Sequence, residues 1–74
     1  MIAGYSDRRA RPLTPRMVDV LTAGARGLTV IQTAAELSLA ESTVWNVRAA
    51  AVARLDVPNF TAAVAAFVRG SELR

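Results

Sequence analysis

The stretch Leu37-Ser38-Leu39-Ala40-Glu41-Ser42-Thr43-Val44 decides the fold, because it joins two helical patterns through a turn of only three residues, 38–40. After the turn, one apolar stripe predicts a helix from about Glu41 to Leu55, and its members are Val44, Val47 or Arg48, Ala51 and Leu55. Before the turn, Ala34 and Leu37 supply the inner face of a shorter helix. Two helices joined by so short a turn form a helix-turn-helix unit.

Local signals predict where the helices begin. Thr29 and Gln32 have the spacing of a capping box, which opens the short helix that ends near Leu37. Thr14 followed by Pro15 starts an earlier helix, because the threonine oxygen accepts a free backbone N–H and proline fits the first helical position.

Other residues predict where the helices end. The first helix runs from Pro15 to about Arg26 and is closed by Gly27 in the left-handed conformation, and its inward residues are Val20, Leu21, Ala25 and Leu28. The segment Asp56-Val57-Pro58 breaks the third helix. Asn59 then caps a last helix over about 60–69, which Gly70 ends.

The composition limits the class of protein. A chain of 74 residues, 53% of them apolar and four of them aromatic, makes one all-α domain of small, closely packed helices. Because cysteine and histidine are absent, disulfides, zinc sites built on those ligands and nucleophile–histidine catalysis are excluded. We expect no enzyme, no cofactor and no small-molecule ligand. The lack of a long apolar segment predicts no membrane span and a cytoplasmic protein.

The charge points to an anionic partner. All nine basic residues are arginine, and they outnumber the six acidic residues to give a net charge of +3. A GC-rich genome also favours arginine over lysine. Arg8, Arg9 and Arg11 lie in residues 1–12, predicted to be a flexible arm ahead of the domain, 13–70, and a C-terminal tail, 71–74. The arm either follows a DNA backbone or minor groove, or is a solvated tail.

Four motifs lie in order along the chain: Leu13-Thr14-Pro15-Arg16, Ala25-Arg26-Gly27-Leu28-Thr29, Ser42-Thr43-Val44 and Leu55-Asp56-Val57. Together they resemble the helix-turn-helix domain of LuxR/GerE-type transcription regulators over residues 13 to about 68. The resemblance implies a compact four-helix fold whose third helix enters the major groove of DNA and whose fourth commonly mediates dimerisation. It implies a dimeric, sequence-specific regulator whose partner is double-stranded DNA.

Candidate DNA contacts lie on the N-terminal half of the third helix: Ser42, Thr43, Trp45, Asn46, Arg48 and Ala49. Asn46 suits adenine, Arg48 suits a guanine edge or a phosphate, and Trp45 or Ala49 suits a thymine methyl group. Arg16 and Arg54 stand at helix ends, where backbone phosphates are held. The alternatives are a solvated Asn46 and Arg48, a Trp45 folded onto the core, and arginines that only add solubility.

The chain departs from the family pattern at several of these places. Trp45 stands where a lysine is common, and Val47 stands at a frequent histidine. Val30 and Ile31 leave the start of the second helix without the usual basic residue. Ala40 replaces a serine cap, Thr33 replaces a core isoleucine, and Ala49 and Ala51 are smaller than usual.

Large apolar residues outside the helical stripes give a second hypothesis. Val30, Ile31 and Trp45, together with Met17, are expected on the surface, and a contiguous patch of this kind is typical of a protein interface. The protein then captures another transcription factor or a polymerase subunit instead of DNA.

The last helix is apolar nearly all round from Ala62 to Val68. A two-fold contact through Val64, Phe67 and Val68 predicts a homodimer with its recognition helices about 34 Å apart. Burial of these side chains within one protomer is the alternative.

Overall fold

The computed structural model describes residues 13–72, and their side chains as far as Gly70. The described residues form four helices and no strand: α1 (Pro15–Ala25), α2 (Val30–Leu37), α3 (Glu41–Leu55) and α4 (Phe60–Glu72). The predicted all-α, four-helix fold is therefore confirmed. The predicted arm, residues 1–12, lies outside the described residues.

The predicted helix starts are confirmed by their hydrogen bonds. Thr14 Oγ1 accepts from the Met17 backbone N–H at 3.2 Å, with Pro15 in the first turn of α1. At α2 the capping box is complete, since the Thr29 N–H donates to Gln32 Oε1 at 2.9 Å and the Gln32 N–H donates to Thr29 Oγ1 at 3.1 Å. The Ala62 N–H donates to Asn59 Oδ1 at 2.8 Å, so Asn59 caps α4.

Left-handed residues close the first three helices. Gly27 follows the cap residue of α1 with φ +84°, as predicted. Ser38 ends α2 with φ 58°, and Asp56 ends α3 with φ 57°. The turn from α2 to α3 is therefore made by a strained serine and two further residues, the second of which, Ala40, offers α3 no side-chain cap.

The core consists of two clusters that meet on α3. The larger joins α1, α3 and α4 through the buried residues Met17, Leu21, Ala51 and Ala63. The smaller joins α2 to α3 through Val30, Ala34 and Val44, with Leu39 of the turn packed against it. Because α3 contributes to both clusters, its orientation is fixed from two sides.

Three sequence expectations about burial are wrong. Met17 and Val30, expected on the surface, are 6% and 9% exposed, and Ala25, expected inside, is exposed. The inner stripe of α1 runs through Met17, Val20 and Leu21, so it begins one turn earlier than predicted and leaves Ala25 outside. Val30 stands at the start of α2, where it packs across the turn onto Val44 of α3.

Two glycines affect α4 in different ways. A Cβ on Gly24 of α1 would lie 2.7 Å from Phe60 Cε2 and 2.9 Å from Val64 Cγ2, so a side chain there would collide with α4. The prediction that Gly70 ends α4 is wrong, since the helix continues to Glu72. Gly70 does not take the positive φ that a left-handed cap requires, so nothing stops the helix there.

No single helix in residues 13–72 is both long and apolar enough to cross a membrane. Helices α3 and α4 pass that test only as a pair, and the pair is bent by 62°.

Candidate nucleic-acid interface

Helix α3 presents an uncharged polar face to solvent. Ser42, Asn46 and Ala49 are exposed and stand three or four residues apart, so they lie on one side of the helix. Thr43 is exposed beside them. The opposite side carries the buried Val44 and Ala51. We call Ser42, Asn46 and Ala49 the reading face.

Trp45 and Ile31 line an open groove between α3 and the start of α2. Their exposed fractions are 58% and 65%, and the groove also contains Thr29, Val30, Glu41 and Arg48. Trp45 is therefore not folded onto the core. Of the four residues expected in an apolar surface patch, Ile31 and Trp45 are exposed, whereas Val30 and Met17 are buried.

The Arg48 side chain contacts two aromatic rings. Its guanidinium carbon is 3.9 Å from the centre of the Phe60 ring and 5.2 Å from the centre of the Trp45 ring. Partial burial lowers the pKa of Arg48 from its usual value by desolvation, yet an arginine remains charged in a protein. Arg48 thus stands at the inner edge of α3, away from the reading face.

Three further arginines lie at helix ends, one at the start of α1, one at the end of α1 and one at the end of α3. Arg16 is exposed in the first turn of α1, and its Nη1 lies 3.5 Å from Asp19 Oδ2. Arg54 is half-buried in the last turn of α3. Arg26 forms an ion pair with Glu36 and so ties the end of α1 to α2. The structure brings Ser42, Thr43, Trp45, Asn46 and Ala49 together on α3, and leaves Arg16 on another helix.

Residues 11–67 match the family described as bacterial regulatory proteins, luxR family. The chain belongs to the luxR family. This match covers most of the protein and includes both helices of the helix-turn-helix, α2 and α3. No curated protein and no solved structure matches the chain.

Formal charges are unevenly distributed in this luxR-family chain. Residues 13–72 contain five arginines and five acidic residues, so their net charge is zero. The whole excess of +3 comes from the ends, since residues 1–12 contribute three arginines and Asp7, and residues 73–74 contribute Arg74. The part of the luxR domain that the structure describes therefore has no excess positive charge with which to attract DNA.

Two residues of this surface are not among those predicted from the sequence. Phe60 supports the Arg48 guanidinium, and Glu41 adds a carboxylate to the groove beside Trp45. Glu41 lies in the first turn of α3, where its negative charge interacts favourably with the helix dipole. Nothing local in the sequence indicates the contact between Arg48 and Phe60, because these residues lie on different helices.

Proposed function

We propose that this protein is a sequence-specific DNA-binding transcription regulator, in which α3 enters the major groove and the reading face meets base edges. The observation that carries the proposal is the exposed hydrogen-bonding face of α3 within a luxR-family helix-turn-helix. Asn46 is the residue suited to bond adenine in a bidentate manner, while Ser42 and Thr43 donate or accept according to the base or phosphate they meet. Such a regulator acts where bacterial DNA lies, in the cytoplasm.

Phosphate contacts are assigned to Arg16 and Arg54, at the start of α1 and the end of α3. Contacts of this kind position the protein on the duplex without reading its sequence. Arg16 is exposed, and its neighbour Asp19 is a surface partner that solvent screens strongly.

A fluorescence anisotropy titration tests this function. The full-length protein is added to random duplexes and to a duplex selected from them, at two salt concentrations. Asn46→Ala is expected to cost about 1–3 kcal/mol on the selected duplex only, whereas Arg54→Ala weakens both duplexes alike. Equal losses on both duplexes for Asn46→Ala would remove it from base reading, and absence of binding to every duplex at low salt would refute the function.

We further propose a homodimer through α4. Val64 and Phe67 pack partly against the larger cluster of their own protomer and remain half-buried, while Val68 is 36% exposed. A second copy would cover what is left of this apolar face and place two recognition helices about 34 Å apart. Sedimentation of Val68→Glu tests the contact: the variant should be monomeric with unchanged helicity, and a dimer that persists would contradict it.

A second candidate function follows from the exposed Ile31 and Trp45. Two large apolar side chains on one groove are typical of a protein-binding patch, so capture of another transcription factor or a polymerase subunit is the competing function. In that case Ile31→Ala and Trp45→Ala both abolish co-purification of the partner and leave DNA titrations unchanged. Under the DNA-binding function, Ile31→Ala has little effect on base preference.

A further inference from the structure

The reading face lacks the side chains that most often recognise guanine. Bidentate contacts from arginine or lysine to guanine are the commonest specific contacts in the major groove. Of the two arginines on α3, Arg48 lies against Phe60 and Arg54 lies in the last turn. The polar and apolar side chains that remain suit A·T pairs, because asparagine pairs with adenine and apolar groups contact the thymine methyl.

Trp45 provides the largest apolar surface beside the reading face. It follows Ser42 by three positions and precedes Ala49 by four, so its ring borders both of these residues on the helix surface. The side chain is 58% exposed. The indole offers one N–H donor and a broad apolar ring, which matches a methyl group rather than a phosphate.

Arg48 connects this ring to the core. Phe60 packs against the larger cluster, the Arg48 guanidinium lies 3.9 Å above Phe60, and Trp45 follows at 5.2 Å. A planar guanidinium lies flat on an aromatic ring, whereas a lysine ammonium is a compact charge on a flexible stem. Cation–aromatic contacts of this kind stabilise one orientation of the ring.

We propose that Trp45 determines base specificity by contacting the C5-methyl groups of thymine, and that Arg48 is the positioning residue that holds the Trp45 ring in place. This inference rests on the proposed DNA-binding function and adds to it the class of sequence read, one with thymine in the major groove beside the adenine bound by Asn46. Arg48 acts through Trp45 and does not itself touch a base.

Replacing thymine by deoxyuridine tests the contact, because only the methyl group is removed. The probe is the duplex selected from random sequences by the wild-type protein. Wild type is expected to lose about fourfold in affinity for each contacted methyl. Trp45→Ala should bind the thymine and deoxyuridine duplexes equally. Arg54→Ala is the matched control, since it should weaken binding to both duplexes and keep the wild-type ratio of the two affinities.

The positioning role has a readout without DNA, because Trp45 is the only tryptophan of the chain. Arg48→Lys retains the charge and loses the flat group, and Arg48→Met loses both. Each should lower the fluorescence anisotropy of Trp45 and make its emission easier to quench by acrylamide, with helicity unchanged. Each should also reduce the ratio of affinities for the thymine and deoxyuridine duplexes. Arg48→Lys should bind random duplexes within about twofold of wild type, because it keeps the charge that attracts phosphates.

The outcomes distinguish this inference from the DNA-binding function on which it rests. A wild-type protein that selects a sequence yet ignores the removal of methyl groups overturns the thymine contact and leaves DNA recognition standing. Arg48 variants with wild-type anisotropy and a wild-type ratio overturn the positioning role. A protein that binds no duplex at low salt overturns the DNA-binding function and this inference together.

Discussion

At the scale of single residues, Gly24 sets how closely α1 and α4 approach. The two neighbours that a Cβ would meet are stiff, since Phe60 is an aromatic ring that supports Arg48 and Val64 is β-branched. A side chain at position 24 therefore pushes α4 away from α1. The movement also displaces the ring on which Arg48 rests.

Gly24→Ala should lower the free energy of unfolding by about 1–2 kcal/mol, because an overpacking cost of about 2–3 kcal/mol outweighs the gain of about 1 kcal/mol in helix propensity. Gly70→Ala is the matched control within α4, where a Cβ meets nothing within 4 Å. It should raise the free energy of unfolding by up to about 1 kcal/mol. Urea denaturation followed by circular dichroism measures both, and equal shifts in the same direction would contradict the close approach.

At the scale of helices, α3 begins without a side-chain cap. Ala40 occupies the cap position with φ −70° and ψ 150°, a conformation that serine adopts without strain. The first N–H groups of α3 lie next to the reading face. That of Thr43 donates to the Ala40 carbonyl oxygen at 3.0 Å, and none of them has a side-chain cap.

Ala40→Ser should raise the free energy of unfolding by about 1 kcal/mol, because its hydroxyl accepts from a free N–H at the start of α3. Ala50→Ser, at an exposed position within the same helix, should lower it by about 0.5 kcal/mol, since serine has the lower helix propensity. Thermal and urea unfolding compare the two. A destabilised Ala40→Ser would show that the cap geometry is not available to serine.

The sequence predicts helix starts better than helix faces, and the reason is physical. Caps such as Thr14, Thr29 and Asn59 act on N–H groups within three residues, so neighbouring sequence determines them. Which side of a helix is buried depends on distant partners, so the burial of Met17 and Val30 could not be read from short patterns.

The candidate site shows the same division. The exposed positions of Ser42, Asn46 and Ala49 follow from the stripe opposite them on α3. The partly buried position of Arg48 does not follow from that stripe. A residue at the edge of the stripe turns inward only if another helix supplies a surface for it. Phe60 supplies that surface after the chain has turned at Asp56.

At the scale of the whole molecule, the charge of the chain is carried by its ends. Residues 13–72 are formally neutral, and three of the nine arginines are Arg8, Arg9 and Arg11. Affinity for DNA falls with salt in proportion to the number of phosphates neutralised. The first residues should therefore account for much of the salt dependence.

Replacing Arg8, Arg9 and Arg11 by glutamine should reduce the slope of log affinity against log salt by about 2–3, because each lost phosphate contact removes about 0.9. Arg26→Gln is the control, since Arg26 is engaged with Glu36 at the junction of α1 and α2. Titrations of random duplexes across several salt concentrations measure the slope. An unchanged slope in the triple variant would contradict this prediction and show that the folded domain makes the phosphate contacts.

The division of the core into two clusters has a consequence for the motions of the native protein. Helix α2 is held by the smaller cluster, shared with α3, whereas α1, α3 and α4 share the larger one. Little apolar surface is exposed when α2 alone opens, so its backbone amides should exchange with deuterium through a partial opening, at a lower free energy than amides of the other three helices. The helix proposed to read DNA would then keep its shape while its neighbour detaches and returns.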